Sequence, residues 1–213
     1  MNTHLMQSEQ QFNDSSVYDF PSFEVERIPS SAKWSFITRN VDMDDVSHIA
    51  ILPDREPLPG DLILANVDKI SHHTRIQLRT GRRSLLYRGD NLVIAFGNRY
   101  APDQFEAVVP DRLESCHLVA AGGIAAKANF KHSGVKWPTS ITPHGYCIGH
   151  DGQVLNLNQY ALEDHTLTEK QSPVVAVLGT SMNSGKTTTA AALVKGFTAA
   201  GRRVAAIKVT GTG

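Results

Sequence analysis

Val174-Val175-Ala176-Val177-Leu178 runs into Gly179-Thr180-Ser181-Met182-Asn183-Ser184-Gly185-Lys186-Thr187-Thr188, and then into Thr189-Ala190-Ala191-Ala192-Leu193-Val194-Lys195. The first segment is apolar and mostly β-branched, which suits a buried strand. The second is polar and closes on Gly-Lys-Thr. The third is a helix-forming run. A strand, a polar loop and a helix N-terminus in that order make a phosphate-binding arrangement. The first turn of a helix leaves backbone N–H groups without intrahelical partners, and the helix dipole adds partial positive charge there. A phosphate chain accepts those N–H groups. Gly185 lets the main chain approach closely because it has no Cβ. Lys186 brings a mobile charge to the outer phosphates, and Thr187 offers its hydroxyl to Mg²⁺ as a metal ligand. Thr180, Met182, Asn183, Ser184, Gly185, Lys186, Thr187 and Thr188 therefore form the expected cofactor-binding set. The common pattern GxxxxGK[ST] puts a glycine where this chain has Thr180; the leading glycine here is Gly179, one residue earlier.

Gly179-Thr180 through Gly185-Lys186-Thr187 resembles the loop of dethiobiotin synthetase, which also reads GTxxxxGKT. The resemblance continues through Gly201 after the helix, an expected strand Val204-Ala205-Ala206-Ile207, then Lys208 and Gly213. The wider group is the amidoligase branch of P-loop ATPases, with the cobyrinate amidases and the molybdopterin-guanine dinucleotide accessory protein. The segment is also similar to an uncharacterised P-loop family with the pattern GTDxxxGK…TGxTG. The likeness covers residues 174–213. It implies ATP and Mg²⁺ as cofactors and an unknown small-molecule acceptor. It also implies catalytic roles for Lys186 and Lys208, with Lys208 and Thr210 facing the γ-phosphate and acceptor. The implied protein is the N-terminal part of an ATP-dependent ligase or synthetase that activates a carboxylate or carbamate. Ser181, Met182 and Asn183 stand where dethiobiotin synthetase has acidic residues and a threonine, and Val209 stands where it has a proline. ATP binding therefore carries over and the specific carboxylation chemistry does not. Two other readings stay open: a nucleotide-gated regulatory or accessory protein, and coenzyme A-dependent acyl transfer using the same phosphate loop.

The 213 residues carry 21 basic and 21 acidic side chains, a formal net charge of zero. That balance points to no nucleic-acid or membrane-surface partner. No apolar run reaches the roughly 18 residues of a spanning helix. The N-terminal residues Met1-Asn2-Thr3-His4-Leu5 lack a secretory layout, and two cysteines make no disulfide framework. A cytoplasmic setting is expected, with a homo-oligomer as one possible assembly.

The expected fold is α/β plus β. Residues 1–46 read as a polar tail and an arm with Phe23, Trp34 and Phe36. Residues 47–160 read as a small antiparallel β-barrel-like domain, because short apolar or alternating runs recur between turn signals. These runs include Ile49–Leu52, Leu62–Val67, Arg75–Arg79, Ser84–Tyr87, Leu92–Phe96, Phe105–Val109 and His117–Ala120. Residues 126–150 read as irregular. Residues 161–173 read as a linker, and 174–213 as the first βαβ unit of a P-loop parallel-sheet domain. Since a lone βαβ unit leaves its strands exposed, further residues are expected after Gly213.

Weaker signals remain. Cys116, His117, Cys147 and His150 supply zinc-type ligands, but neighbours on a strand point to opposite faces, so buried thiols and surface imidazoles are the plainer reading. Gly97–Gln104 reads either as a ligand or partner loop or as a polar loop with a local Arg99–Asp103 pair. Gly122-Gly123 reads as a turn, and His72-His73 as a solvated hairpin end.

Overall fold

A computed structural model describes residues 27–162, 172–180 and 184–208. In chain order its strands are β1 (Lys33–Trp34), β2 (Val46–Ala50), β3 (Leu62–Lys69), β4 (Arg75–Gln77), β5 (Arg83–Leu85), β6 (Asn91–Phe96), β7 (Arg99–Tyr100), β8 (Phe105–Val108), β9 (Cys116–Ala120), β10 (Ile124–Lys131) and β11 (Thr139–Gly149), followed by the helix α1 (Lys186–Ala199). Nine of these strands form one mixed sheet, in which β1–β6 and β6–β10 pair in parallel and the other pairs are antiparallel. The pairing closes on itself, since β6 joins β3, β3 joins β11, β11 joins β9, β9 joins β10 and β10 returns to β6. β4 and β5 form a separate hairpin turning at Gly81, whose positive φ of 84° suits glycine.

Side-chain alternation explains why two apolar layers form from one sheet. Along β3, Ile63, Ala65 and Val67 enter one cluster with Leu92, Ile94 and Phe96 of β6, Leu118 of β9, Ile141 and Tyr146 of β11. Their neighbours Leu62 and Leu64 turn the other way and meet Val93 and Ala95 of β6, Cys147 of β11, and Trp34, Val41 and Leu155. β3 and β6 are thus buried on both faces, which is why their sequences are continuous apolar runs. Each such aliphatic side chain contributes about 1.5–3 kcal/mol when removed from water.

Asp61, at the entrance to β3, is fully buried and fully satisfied. Its carboxylate accepts from Arg55 at 2.6 Å, from the Leu58 N–H at 2.8 Å and from Asn156 Nδ2 at 3.0 Å. The hydrogen bond from Arg55 to Asp61 in turn holds the guanidinium in its charged form. This cluster ties the 55–61 and 155–160 segments to the sheet; its groups answer one another, so it reads as structure.

The structure corrects the expected fold class. The described residues form a large mixed sheet with one α-helix; the sheet is not purely antiparallel, since β1 and β10 each run parallel to β6, and the anticipated βαβ P-loop unit is not formed. Residues 174–178 and 204–207 belong to no strand. Val174, Leu178 and Ile207 are 90%, 88% and 87% exposed. A parallel strand needs a hydrogen-bonded neighbour and cover on both faces, and neither run has these among the described residues. Residues 126–150, read as irregular, contain β10 and β11 instead. β11, the longest strand, pairs with β2, β3 and β9. The expected tail before residue 27 and most of the expected linker, residues 163–171, lie outside the described residues. Among the described residues no helix is long and apolar enough to cross a membrane.

Candidate functional site

The structure places part of the segment expected to bind phosphate at the start of the helix. α1 begins at Lys186, immediately after the Gly-Lys-Thr glycine. Gly185 is the N-cap residue, with φ 82° in the left-handed region. That conformation is open to glycine at no steric cost and turns the chain sharply into the helix. Having no side chain, Gly185 caps no amide of the first turn, and its carbonyl accepts the Thr189 N–H at 2.9 Å to start the helical ladder. The helix end therefore keeps the positive character that favours an anion.

Gly179 lies close to this helix end. A Cβ placed on Gly179 would collide with Ser184 Oγ and stand 2.9 Å from Lys186 Cγ. A side chain at position 179 would have to displace Ser184 and Lys186, because Gly179 lies against both. Lys186 Nζ donates to Ser184 Oγ at 3.1 Å. Thr187 and Thr188 are exposed on the first turn, and Thr180 is exposed beside Gly179. Met182 and Asn183, also expected in the set, lie outside the described residues, as does Thr210. Lys208 is exposed and shares no hydrogen bond or ion pair with these groups among the described residues. Gly179, Ser184, Gly185 and Lys186 are therefore brought together, and Lys208 is not joined to them. The helix that carries the loop has no buried residue.

The zinc-type residues do not converge. Cys116 and Cys147 are buried free thiols, each pushed up to about 12 by burial, so neither is a ready thiolate ligand. His150 Nε2 lies 2.8 Å from the Asp44 carbonyl, and His117 Nδ1 accepts the Ala128 N–H at 3.2 Å. Among the described residues no group of three or more His, Cys, Asp or Glu could hold a metal ion.

Two further expectations change. His72 and His73 are not at a solvated hairpin end; both rings pack edge-on or tilted against Phe105, with centroids 5.1 and 5.8 Å away. Within Gly97–Gln104, Arg99 Nη2 bonds Gln104 Oε1 at 2.7 Å. Sequence spacing gave no sign that these two segments meet, because some 25 residues and the β4–β5 hairpin separate them.

No protein-family model matches this chain, and neither the curated proteins nor the solved structures yield a match.

Proposed function

We propose that the segment from Gly179 to Thr188 binds the phosphate chain of a nucleoside triphosphate, ATP, together with Mg²⁺. The observation that supports this most is the close approach of Gly179 to Ser184 and Lys186 in front of an uncapped helix start. Gly179 and Gly185 carry no Cβ to block an approaching anion, and polyphosphate oxygens suit exposed backbone N–H groups at a helix start. Lys186 would neutralise the outer phosphates, and the Thr187 hydroxyl would serve as a ligand to the cation. Mg²⁺ bound there would spread the charge of the phosphates and favour phosphoryl transfer. Lys208 is assigned to the acceptor side by the resemblance to dethiobiotin synthetase-like enzymes alone. On the same basis the reaction class is activation of a carboxylate or carbamate, as in an ATP-dependent ligase. The two buried free cysteines fit a reducing, cytoplasmic setting.

Isothermal calorimetry with ATP and Mg²⁺ on the full chain tests this reading. Saturable binding is expected, with Lys186→Ala weakening it by at least tenfold. Loss of one charge-assisted contact to a phosphate corresponds to roughly 1.5–3 kcal/mol, or about ten- to a hundredfold in affinity. Equal affinity in the two proteins would refute it.

A further inference from the structure

The connection from β3 to β4 and the strands β7 and β8 bring two imidazoles and a guanidinium into one cluster. Its backbone is fixed: the His72 N–H donates to the Trp137 carbonyl at 2.9 Å, and Thr139 Oγ1 donates to the His73 carbonyl at 2.6 Å. The rings of His72 and His73 stand edge to face, 4.9 Å apart, with Phe105 behind both. Arg99 is oriented by Gln104 Oε1 at 2.7 Å. Among the described residues, the ion pairs are Lys33–Asp90, Arg55–Asp61, Arg112–Glu114 and Lys127–Glu114, so Arg99 is in none of them.

Three buried side-chain polar atoms among the described residues have no hydrogen-bond partner, and two of them are here: His73 Nδ1 and Arg99 Nε. An unanswered buried donor or acceptor costs about 1–3 kcal/mol, and more when it is charged. The two gaps are complementary. Arg99 Nε–H is a donor with no acceptor, on a cation with no anion. His73 Nδ1 is a ring nitrogen with no partner, and in the neutral tautomer protonated at Nε2 it is an acceptor with no donor. Burial and the nearby Arg99 charge keep both imidazoles neutral near pH 7, and His73 is pushed down to about 4.

We infer that His72, His73, Arg99 and Gln104 form a receptor for a small oxyanion that also carries a hydroxyl hydrogen, of the hydrogen phosphate or α-hydroxycarboxylate class. Its charged oxygen accepts from Arg99 Nε–H, and its hydroxyl donates to His73 Nδ1. Gln104 holds the guanidinium in place, and the neutral His72 edge offers a further polar contact at the exposed side. This site stands apart from the Gly179–Thr188 loop and does not depend on it.

The test follows the imidazole resonances of His72 and His73 by NMR at pH 7 and constant ionic strength. One arm titrates inorganic phosphate, the other glycolate, each against chloride. Saturable movement of both histidines in either arm is expected, and the arm that saturates identifies the source. Arg99→Gln should weaken that response at least tenfold. Gln104→Leu, which keeps the charge but loses its anchor, should weaken it about threefold. Amide resonances of β3 and β6 report whether each variant keeps the fold. Lys186→Ala should leave the response unchanged, which separates it from phosphate bound at the loop. Movement that fails to saturate, no movement in either arm, or an equal response in folded Arg99→Gln would overturn the assignment.

Discussion

His73 shows how one side chain makes the stability of the molecule depend on pH. Burial, His72 and Arg99 all disfavour its charged form, and the folded state holds it at about 4, well below the ordinary 6.5. Between those two values the unfolded chain binds a proton that the folded chain refuses. Stability therefore rises with pH through this window and is lost as pH falls. His72, His117 and His144 are displaced in the same direction, each chiefly by burial. Asp68 is raised by burial and works the other way, but only near its own lower range. We predict that lowering pH from 7 to 5 costs about 2 kcal/mol through His73 alone. Chemical denaturation at the two pH values measures it, and His73→Asn should remove that part of the slope. An identical slope in His73→Asn would show that the imidazole is not held neutral by its surroundings. Neither His73 nor Arg99 could be placed from the sequence. Burial of a histidine depends on what packs over it, and Phe105 comes from a distant strand.

At the scale of elements, the strands that announced themselves are those whose burial is written as an apolar run. Leu62-Ile63-Leu64-Ala65 and Leu92-Val93-Ile94-Ala95-Phe96 are buried on both faces and read as strands from either side. β11 did not, because it carries Pro143, His144 and Gly145 in its middle, residues that ordinarily punctuate chains. The structure uses them at an irregularity in the β3–β11 pairing between Pro143 and Gly145, just before the strand takes β2 as a further partner at Tyr146. Gly145 is required there by proximity: a Cβ would lie 2.8 Å from the Ala50 carbonyl oxygen and 2.7 Å from Ile49 Cγ2. Gly145→Ala should destabilise the sheet by about 1–3 kcal/mol. Gly196→Ala, on the open face of α1, should leave the sheet transition where it is, because nothing stands within 4 Å of that position. Urea denaturation of the two variants separates them; equal midpoints would mean that β2 does not press on β11 as described. The βαβ expectation failed for the converse reason. Val174–Leu178 and Val204–Ile207 have the composition of strands, but composition supplies no neighbouring strand, and a ladder needs one.

For the molecule as a whole, a sheet closed through the β6–β10 pairing coexists with a helix that buries none of its residues. A helix of this length draws most of its stability from packing, so α1 gains little from what surrounds it among the described residues. The helix start after Gly185 was legible because its signals are local: Gly179, Ser184, Gly185 and Lys186 lie within a few residues of one another and come together there. The cluster of His72, His73 and Arg99 was not, because two segments far apart in sequence build it. The proposed function depends on the backbone around Gly185 receiving phosphates. The most direct measurement is an amide-detected NMR titration of the full chain with ATP and Mg²⁺. The prediction is saturable movement of the Ser184, Gly185, Lys186 and Thr187 amides, with those of β3 and β6 staying in place. Loop amides that remain still at saturating nucleotide, or changes that fall on the sheet instead, would contradict it.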